Sequence, residues 1–515
     1  LLTPEERIRV DAILGSGTGD LSVDPGELPL AIARALLDEG KLKPNERAAI
    51  ALRVLGMKTA DFDHQQLYDT AVGGPIEFGS ILLAACNGRP NAELLWNDRW
   101  YPVQVSAEIH EQDKTAKAAT IAVRLGIGES VLQYMLPVNP VWFQTPDGQQ
   151  RETTVIQILQ QVGFRRLQTA VGQFNLRVVA AERLAAQSGK QMLACGAVLE
   201  LTRGWLSNLS ELPLGSEETP RRVVVEPSLI DPNHRDDFHP SRLHRSFDEN
   251  VSRLPLVRVF SLDTKRYVYA DVDDLREYEY DPGAIDRLIL PEEMKNVLNS
   301  VFRASRQDLF ADHVRHKHGG IVILACGPSG VGKTLTAEVY AELTERPLYV
   351  LEFGELGTTV QEIENNLSKV FARVVEWSAV LQFDECEVFL AKRGEDLQRS
   401  AIVGIFLRML DYYEGLLFLT TNRPEVLDYA VHSRVMLRLD YPELTSEARV
   451  DVWRSMLSAA GLHCQEIHLR EIAQEPLNGR QIRNRVRLAK ILFGSSEIDP
   501  VQLRSLGKFS FNKVS

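Results

Sequence analysis

Apolar and polar positions change their period several times along this 515-residue chain. Over residues 1–89 the apolar side chains recur at helical spacing, with one helix at 28–37 and a second starting at Pro44-Asn45-Glu46 and running to about 55. From about residue 95 alternation takes over, and 100–109, 118–125 and 131–138 read as strands. Asn139-Pro140 and Pro146-Asp147-Gly148 are turn signals. Helical spacing returns over 153–190, and strands are expected again at 192–201 and 221–225. The stretch 213–246 is rich in prolines and charges and reads as a loop-rich linker. Residues 257–262 and 266–272, joined by Asp263-Thr264-Lys265, form an expected hairpin.

The pattern sharpens after Pro291. A helix at 292–310 leads to an apolar strand, Ile321-Val322-Ile323-Leu324-Ala325-Cys326, and strand and helix then alternate to about 439. Residues 445–493 are helical throughout on this reading. The expected fold is α/β: a doubly wound parallel sheet with a P-loop and a C-terminal helical lid, preceded by a helical and a β-rich α+β region. The divisions fall at 1–90 (helical), 91–285 (β-rich α+β, containing the loop-rich 213–246), 286–442 (large α/β) and 443–515 (helical lid).

Composition adds limits. Apolar content of 44% and charged content of 25% are ordinary for globular protein. A net charge of −12 argues against a protein-wide basic field for gripping nucleic acid. Five cysteines lie far apart with no C-x-x-C spacing, which fits free thiols in a reducing cytosol. No apolar run approaches a membrane span, and the first residues carry no signal-peptide pattern, so a cytoplasmic location is expected.

The apolar strand at 321–326 runs into Gly327-Pro328-Ser329-Gly330-Val331-Gly332-Lys333-Thr334, and a helix opens with Leu335. Strand, glycine-rich loop and helix is the context in which backbone N–H groups converge on phosphate oxygens at the positive end of a helix dipole. Lys333 is placed to reach the β- and γ-phosphates of a nucleoside triphosphate, and the Thr334 hydroxyl to ligate Mg²⁺. Phe383-Asp384-Glu385 ends a second apolar strand, giving Asp384 for the Mg²⁺ water shell and Glu385 for polarising the attacking water. Gln382 is a polar intrusion in that strand, suited to bond a neighbour or tilt toward the nucleotide. Asn422, after the strand 416–421, is a candidate to hold the lytic water with Glu385. Arg434 precedes the last strand, where its target is a neighbouring subunit's γ-phosphate. Arg480 opens a late helix and is placed to fold back onto the phosphates.

With these motifs in order, residues 291–493 resemble the AAA+ ATPase module. Gly327 to Thr334 looks like its Walker A, Phe383-Asp384-Glu385 its Walker B, Asn422 its sensor 1, Arg434 its arginine finger and Arg480 its sensor 2 position. Glu387-Val388-Phe389-Leu390-Ala391-Lys392-Arg393 and Thr421-Asn422-Arg423-Pro424 are also typical of AAA proteins. The resemblance implies Mg-ATP bound between subunits, catalysis by Lys333, Glu385, Asn422 and Arg434, a homo-oligomeric ring that is usually a hexamer, and mechanical work on a macromolecule. Two positions depart from the pattern. Val431-His432-Ser433-Arg434 offers one arginine where many members carry R-x-G-R. Glu355-Leu356-Gly357-Thr358-Thr359-Val360 has no aromatic where threading members carry an aromatic pore loop.

Residues 1–285 are expected to recognise a protein client. The run His234, Asp236, Asp237, His239 and His244 reads as hydrated loop residues ahead of a metal site, and Trp96, Trp100, Tyr101, Trp142 and Phe143 as packing of the β-rich core. The leading expectation is an ATPase that remodels or assembles a protein partner. The alternatives are a slow nucleotide-gated switch or scaffold in a multiprotein defence or secretion machine, and a nucleic-acid motor or loader, which the acidic balance disfavours.

Overall fold

The computed structural model describes residues 68–85, 90–96, 98–113, 116–127, 130–149, 151, 153–168, 171–202, 208–226, 253–304, 320–390, 397–494 and 497–509. The helices expected at 28–37 and 44–55 and the run from His234 to His244 lie outside these residues. Two compact units contain the described residues: one runs up to Glu277, the other from Tyr278 onward, with 188–191 counted in the second.

The first unit holds a five-stranded antiparallel sheet, a seven-stranded sheet and a short two-stranded pair. The five-stranded sheet is built from β2 (Ala92–Trp96), β3 (Arg99–Asp113), β4 (Ala116–Ile127), β5 (Ser130–Pro137) and β7 (Phe164–Arg166), in the order β5-β4-β3-β2-β7. Alternate residues Tyr101, Val103 and Val105 of β3, with Ile121 and Val123 of β4, turn to one face, as the period of two requires. Helix α1 (Pro75–Ala85) adds Phe78, Ile81 and Leu82 to the same core. A short pair, β1 (Ala71–Val72) with β6 (Thr153–Thr154), brings in α2 (Val155–Gln161). The expected aromatic packing is found: Trp96, Tyr101 and Phe143 are buried, Trp142 packs on them, and the Arg165 guanidinium sits 4.0 Å from the Trp100 ring centroid. The stretch read as helical over 153–190 breaks into α2 and α3 (Val171–Ala185), because Phe164 alternates into the sheet opposite Leu94 between them.

The second sheet comprises β8 (Gln191–Ala194), β9 (Ala197–Thr202), β10 (Asn208–Pro213), β11 (Arg221–Val225), β12 (Leu256–Ser261), β13 (Arg266–Asp271) and β14 (Leu275–Glu277), in the order β10-β9-β13-β12-β11-β8-β14. The expected hairpin is β12–β13, paired from Leu256–Asp271 to Ser261–Arg266. At its end Asp271, wholly buried, accepts hydrogen bonds from Tyr101 and from Arg177 of α3, at 2.8 and 2.7 Å for the latter, and pairs with Arg99 at 3.3 Å.

In the second unit, α4 (Glu292–Ala304) precedes β15 (Ile321–Cys326), α5 (Lys333–Thr344), β16 (Leu348–Leu351), α6 (Val360–Glu376), β17 (Val380–Phe383), α7 (Glu387–Leu390), α8 (Leu397–Leu410), β18 (Leu416–Thr421), α9 (Tyr429–His432) and β19 (Leu437–Asp440). The five strands are parallel in the order β16-β17-β18-β15-β19. Every residue of β15 and β18 is buried, as near-continuous apolar runs in a sheet covered on both faces must be. This is the expected α/β P-loop fold.

The lid follows as α10 (Ser446–Ala459), α11 (Glu466–Ile472), α12 (Gly479–Phe493) and α13 (Pro500–Ser505). The single helical stretch read over 445–493 is three helices, separated by a turn at Ala460-Gly461 and by 473–478 around Pro476. Their apolar faces close around Trp453, which is wholly buried.

Candidate functional site

Parallel strands place their C-terminal ends side by side, and three of these ends carry the candidate site residues. β15 delivers the loop 327–332, β17 delivers Asp384 and Glu385, and β18, which separates them in the sheet, delivers Thr420 and Asn422. The loop can be made only with glycine at Gly327. Its φ is +146°, and a Cβ there would stand 2.3 Å from the Tyr441 carbonyl oxygen. α5 begins at Lys333, so the loop lies at the N-terminus of a helix of 12 residues, the end that favours an anion.

Lys333 is almost completely buried. Its Nζ donates to the carbonyl oxygens of Gly327 and Pro328 and to Asn422 Oδ1, each at 2.7 Å. Burial pushes its pKa down, while the Glu387 and Asp384 carboxylates hold it up. The Thr334 hydroxyl lies 3.3 Å from Asp384 Oδ1. The five-residue neighbourhood of Lys333, Thr334, Asp384, Glu385 and Asn422 is therefore assembled by the fold within one unit.

Glu385 takes a left-handed backbone, φ +52°, which a non-glycine residue adopts only when its surroundings enforce it. Two bonds from β18 do so: Glu385 N donates to Thr420 Oγ1 at 3.2 Å, and Cys386 N to the Thr420 carbonyl at 2.9 Å. The turn leaves the Glu385 side chain exposed beside the loop.

The lid reaches the loop directly. Gly479 N donates to the Gly330 carbonyl at 2.8 Å, and a Cβ on Gly330 would come within 2.8 Å of the Asn478 side chain. Arg480 follows immediately on α12; it is exposed, and its side chain makes no hydrogen bond or ion pair among the described residues. Arg434 is elsewhere. Leu437 pairs with Ile323, so Arg434 lies at the N-terminal end of the sheet, roughly 20 Å below the loop at 3.3 Å per residue. There it grips Asp411 in a two-pronged pair at 2.7 and 2.9 Å.

Sequence reasoning missed two participants. Glu387 entered only as part of a resemblance, yet its Oε1 accepts from Asn422 N at 3.3 Å and its charge opposes the loss of the Lys333 proton. Thr420 was read as part of an apolar strand, although two successive threonines before Asn422 were a visible signal. Gln382, the polar intrusion, bonds a neighbour: its Nε2 donates to Asp384 Oδ1 at 2.7 Å.

Comparison with known proteins agrees with this geometry. Residues 323–443 match the model of the ATPase family associated with various cellular activities (AAA). The uncharacterized AAA family ATPase y4kL of Sinorhizobium fredii is 33% identical over 144 residues, 26% of this chain and 43% of that protein. The cell division cycle protein 48 homolog of Archaeoglobus fulgidus is 27% identical over 319 residues, 59% of this chain and 40% of that protein. The chain spans less than half the length of these curated relatives. Among solved structures, an E. coli HORMA:CdnC:Trip13 complex aligns over 45% of this chain and 93% of the matched chain, at 18% identity and a TM-score of 0.37. The match spans the strands that deliver Lys333, Asp384, Glu385 and Asn422, so residues 323–443 carry a domain similar to those of the AAA ATPase family.

Proposed function

We propose that this chain hydrolyses Mg-ATP and couples the cycle to remodelling or assembly of a protein partner within a homo-oligomeric ring. The observation that carries the reading is the convergence of Lys333, Thr334, Asp384 and Asn422 on one loop at a helix N-terminus. Lys333 and the loop N–H groups would bind the phosphates. Thr334 and Asp384 fit a hydrated divalent cation: two oxygen-bearing side chains already in contact, with Asp384 Oδ2 outside any hydrogen bond among the described residues. No group of three His, Cys, Asp or Glu is arranged for a metal among the described residues, so the phosphates would complete the ion's shell. When bound, Mg²⁺ neutralises charge that develops on the phosphates. Glu385 would orient and deprotonate water, Asn422 would hold it, and Arg480 would close over the nucleotide as α12 moves on Gly330.

Glu385→Gln tests this. ATP binding should survive and turnover should fall about 100-fold or more, the contribution of a general base. Undiminished turnover in that variant would overturn the assignment.

The partner reading draws on the segment after β16. It is one 3-10 turn, Phe353–Glu355, followed by buried Leu356. Tyr349 donates to Glu355 at 2.8 Å, and Asn366 donates to the Leu356 carbonyl at 3.3 Å. A loop so short and so anchored is poorly suited to paddle an unfolded chain, which favours work on folded partners.

A second reading, a slow nucleotide-gated switch, is favoured by the Arg434–Asp411 pair, which occupies the candidate finger within its own chain. ATP-dependent assembly that persists in Glu385→Gln would select it over remodelling.

A further inference from the structure

Three uncharged donors converge on one oxygen of Asp384. Gln382 Nε2 lies 2.7 Å from Asp384 Oδ1, Thr420 Oγ1 2.9 Å and Thr334 Oγ1 3.3 Å. Thr334 is already placed in the nucleotide site. Gln382 and Thr420 lie deeper: Gln382 is wholly buried and Thr420 nearly so, beneath the surface that ATP would meet. The sheet register explains how they share a target. Phe383 pairs with Leu419, so Thr420 stands opposite Asp384, and Gln382 lies two residues earlier on the same face of β17.

Packing does not account for either side chain. The other residues of β17, Val380, Leu381 and Phe383, are apolar and buried, and an amide among them must be desolvated. Half of that amide remains unmatched, since Gln382 Oε1 is buried with no hydrogen-bond partner. The other half is fixed by charge, because only an N–H edge can face a carboxylate. Thr420 uses its hydroxyl in both senses, accepting from Glu385 N at 3.2 Å and donating to Asp384.

We propose that Gln382 and Thr420 are positioning residues for the divalent cation: they hold Asp384 Oδ1 and leave Oδ2 for the ion's water shell, while Thr420 also fixes the turn that presents Glu385. An amide and a hydroxyl carry no charge, so the clamp orients the carboxylate without neutralising it, as an arginine in the same place would. Metal affinity is then set from beneath the site by side chains that never touch the ion. The inference rests on the Mg-ATP reading above.

The test uses the full chain carrying Glu385→Gln to prevent turnover, a fluorescent ATP analogue, and titration with Mg²⁺. In Gln382→Leu and in Thr420→Val the Mg²⁺ concentration giving half-maximal tight binding should rise about tenfold. Analogue binding in EDTA should match the parent. Thr420→Ser, which keeps the hydroxyl, should show the parental Mg²⁺ dependence; a role in packing alone would spare Val, which keeps the shape of Thr, and impair Ser, which loses a methyl group. Parental Mg²⁺ dependence in both Gln382→Leu and Thr420→Val overturns the clamp. Asp384→Ala separates the two readings. If it weakens the Mg²⁺ response while the clamp variants do not, the clamp alone falls; if the parent shows no Mg²⁺ response, or Asp384→Ala leaves it intact, the Mg-ATP reading falls and the clamp with it.

Discussion

Gly327 shows how narrow the chemical choice is at single positions. Its left-handed φ and the Tyr441 carbonyl together exclude any side chain. Gly327→Ala is expected to destabilise the second unit by about 1–3 kcal/mol, from backbone strain before the clash is counted. Denaturant unfolding measures that loss, and nucleotide affinity should drop with it because the loop N–H groups move. Glu385 is the opposite case, a residue that adopts the same kind of backbone with a side chain in place and is held there by Thr420. The glycines were legible as G-x-x-x-x-G-K-T. The Glu385 turn was not, since the two bonds that enforce it come from a strand 35 residues away in sequence.

Among the elements, α12 carries the link between lid and loop. Asn478 Oδ1 accepts from Gln481 N at 2.9 Å, and Asn478 N donates to Gln481 Oε1 at 2.9 Å in return, a reciprocal cap. Asn478→Ala should cost about 1 kcal/mol, read as a lower unfolding midpoint, and should also weaken ATP binding by loosening the Gly479–Gly330 bond. In the first unit, Asp271 at the end of β13 ties β3 and α3 together through Tyr101, Arg99 and Arg177. Asp271→Ala removes the buried anion they share, although Arg99 keeps Asp274 and Arg177 keeps Asp273, each at 2.8 Å. Both arginines keep partial contact with water, so the expected loss is about 2–3 kcal/mol, below that of a fully buried pair. Thermal unfolding followed by circular dichroism would show it, with nucleotide affinity unaltered, because Asp271 belongs to the unit without the loop.

For the whole molecule, the decisive residue is Arg434. Its distance from its own loop means that any catalytic use is in a neighbouring subunit, after release from Asp411. Arg434→Ala should then lower turnover about 10³-fold, as loss of an arginine finger does. Mixing it with Glu385→Gln chains should recover activity, because those chains have an inert site but an intact Arg434. Failure of the mixture to exceed either variant alone would mean that Arg434 does not act between subunits. Among the described residues no helix is long and apolar enough to cross a membrane.

What the sequence determined by itself was local. The phosphate loop, the acids closing β17 and the apolar runs of β15 and β18 are written in consecutive residues, because backbone conformation and strand burial depend on neighbours in the chain. The same holds for the parallel alternation from 321 to 440, whose period changes mark each element. What the tertiary structure decided was convergence. That Gln382 and Thr420 meet at Asp384, that Glu387 holds Asn422, and that Arg434 closes on Asp411 depend on strand order and register. The order β16-β17-β18-β15-β19 interleaves segments distant in sequence, and a hydrogen bond across it leaves no mark on the spacing of either partner.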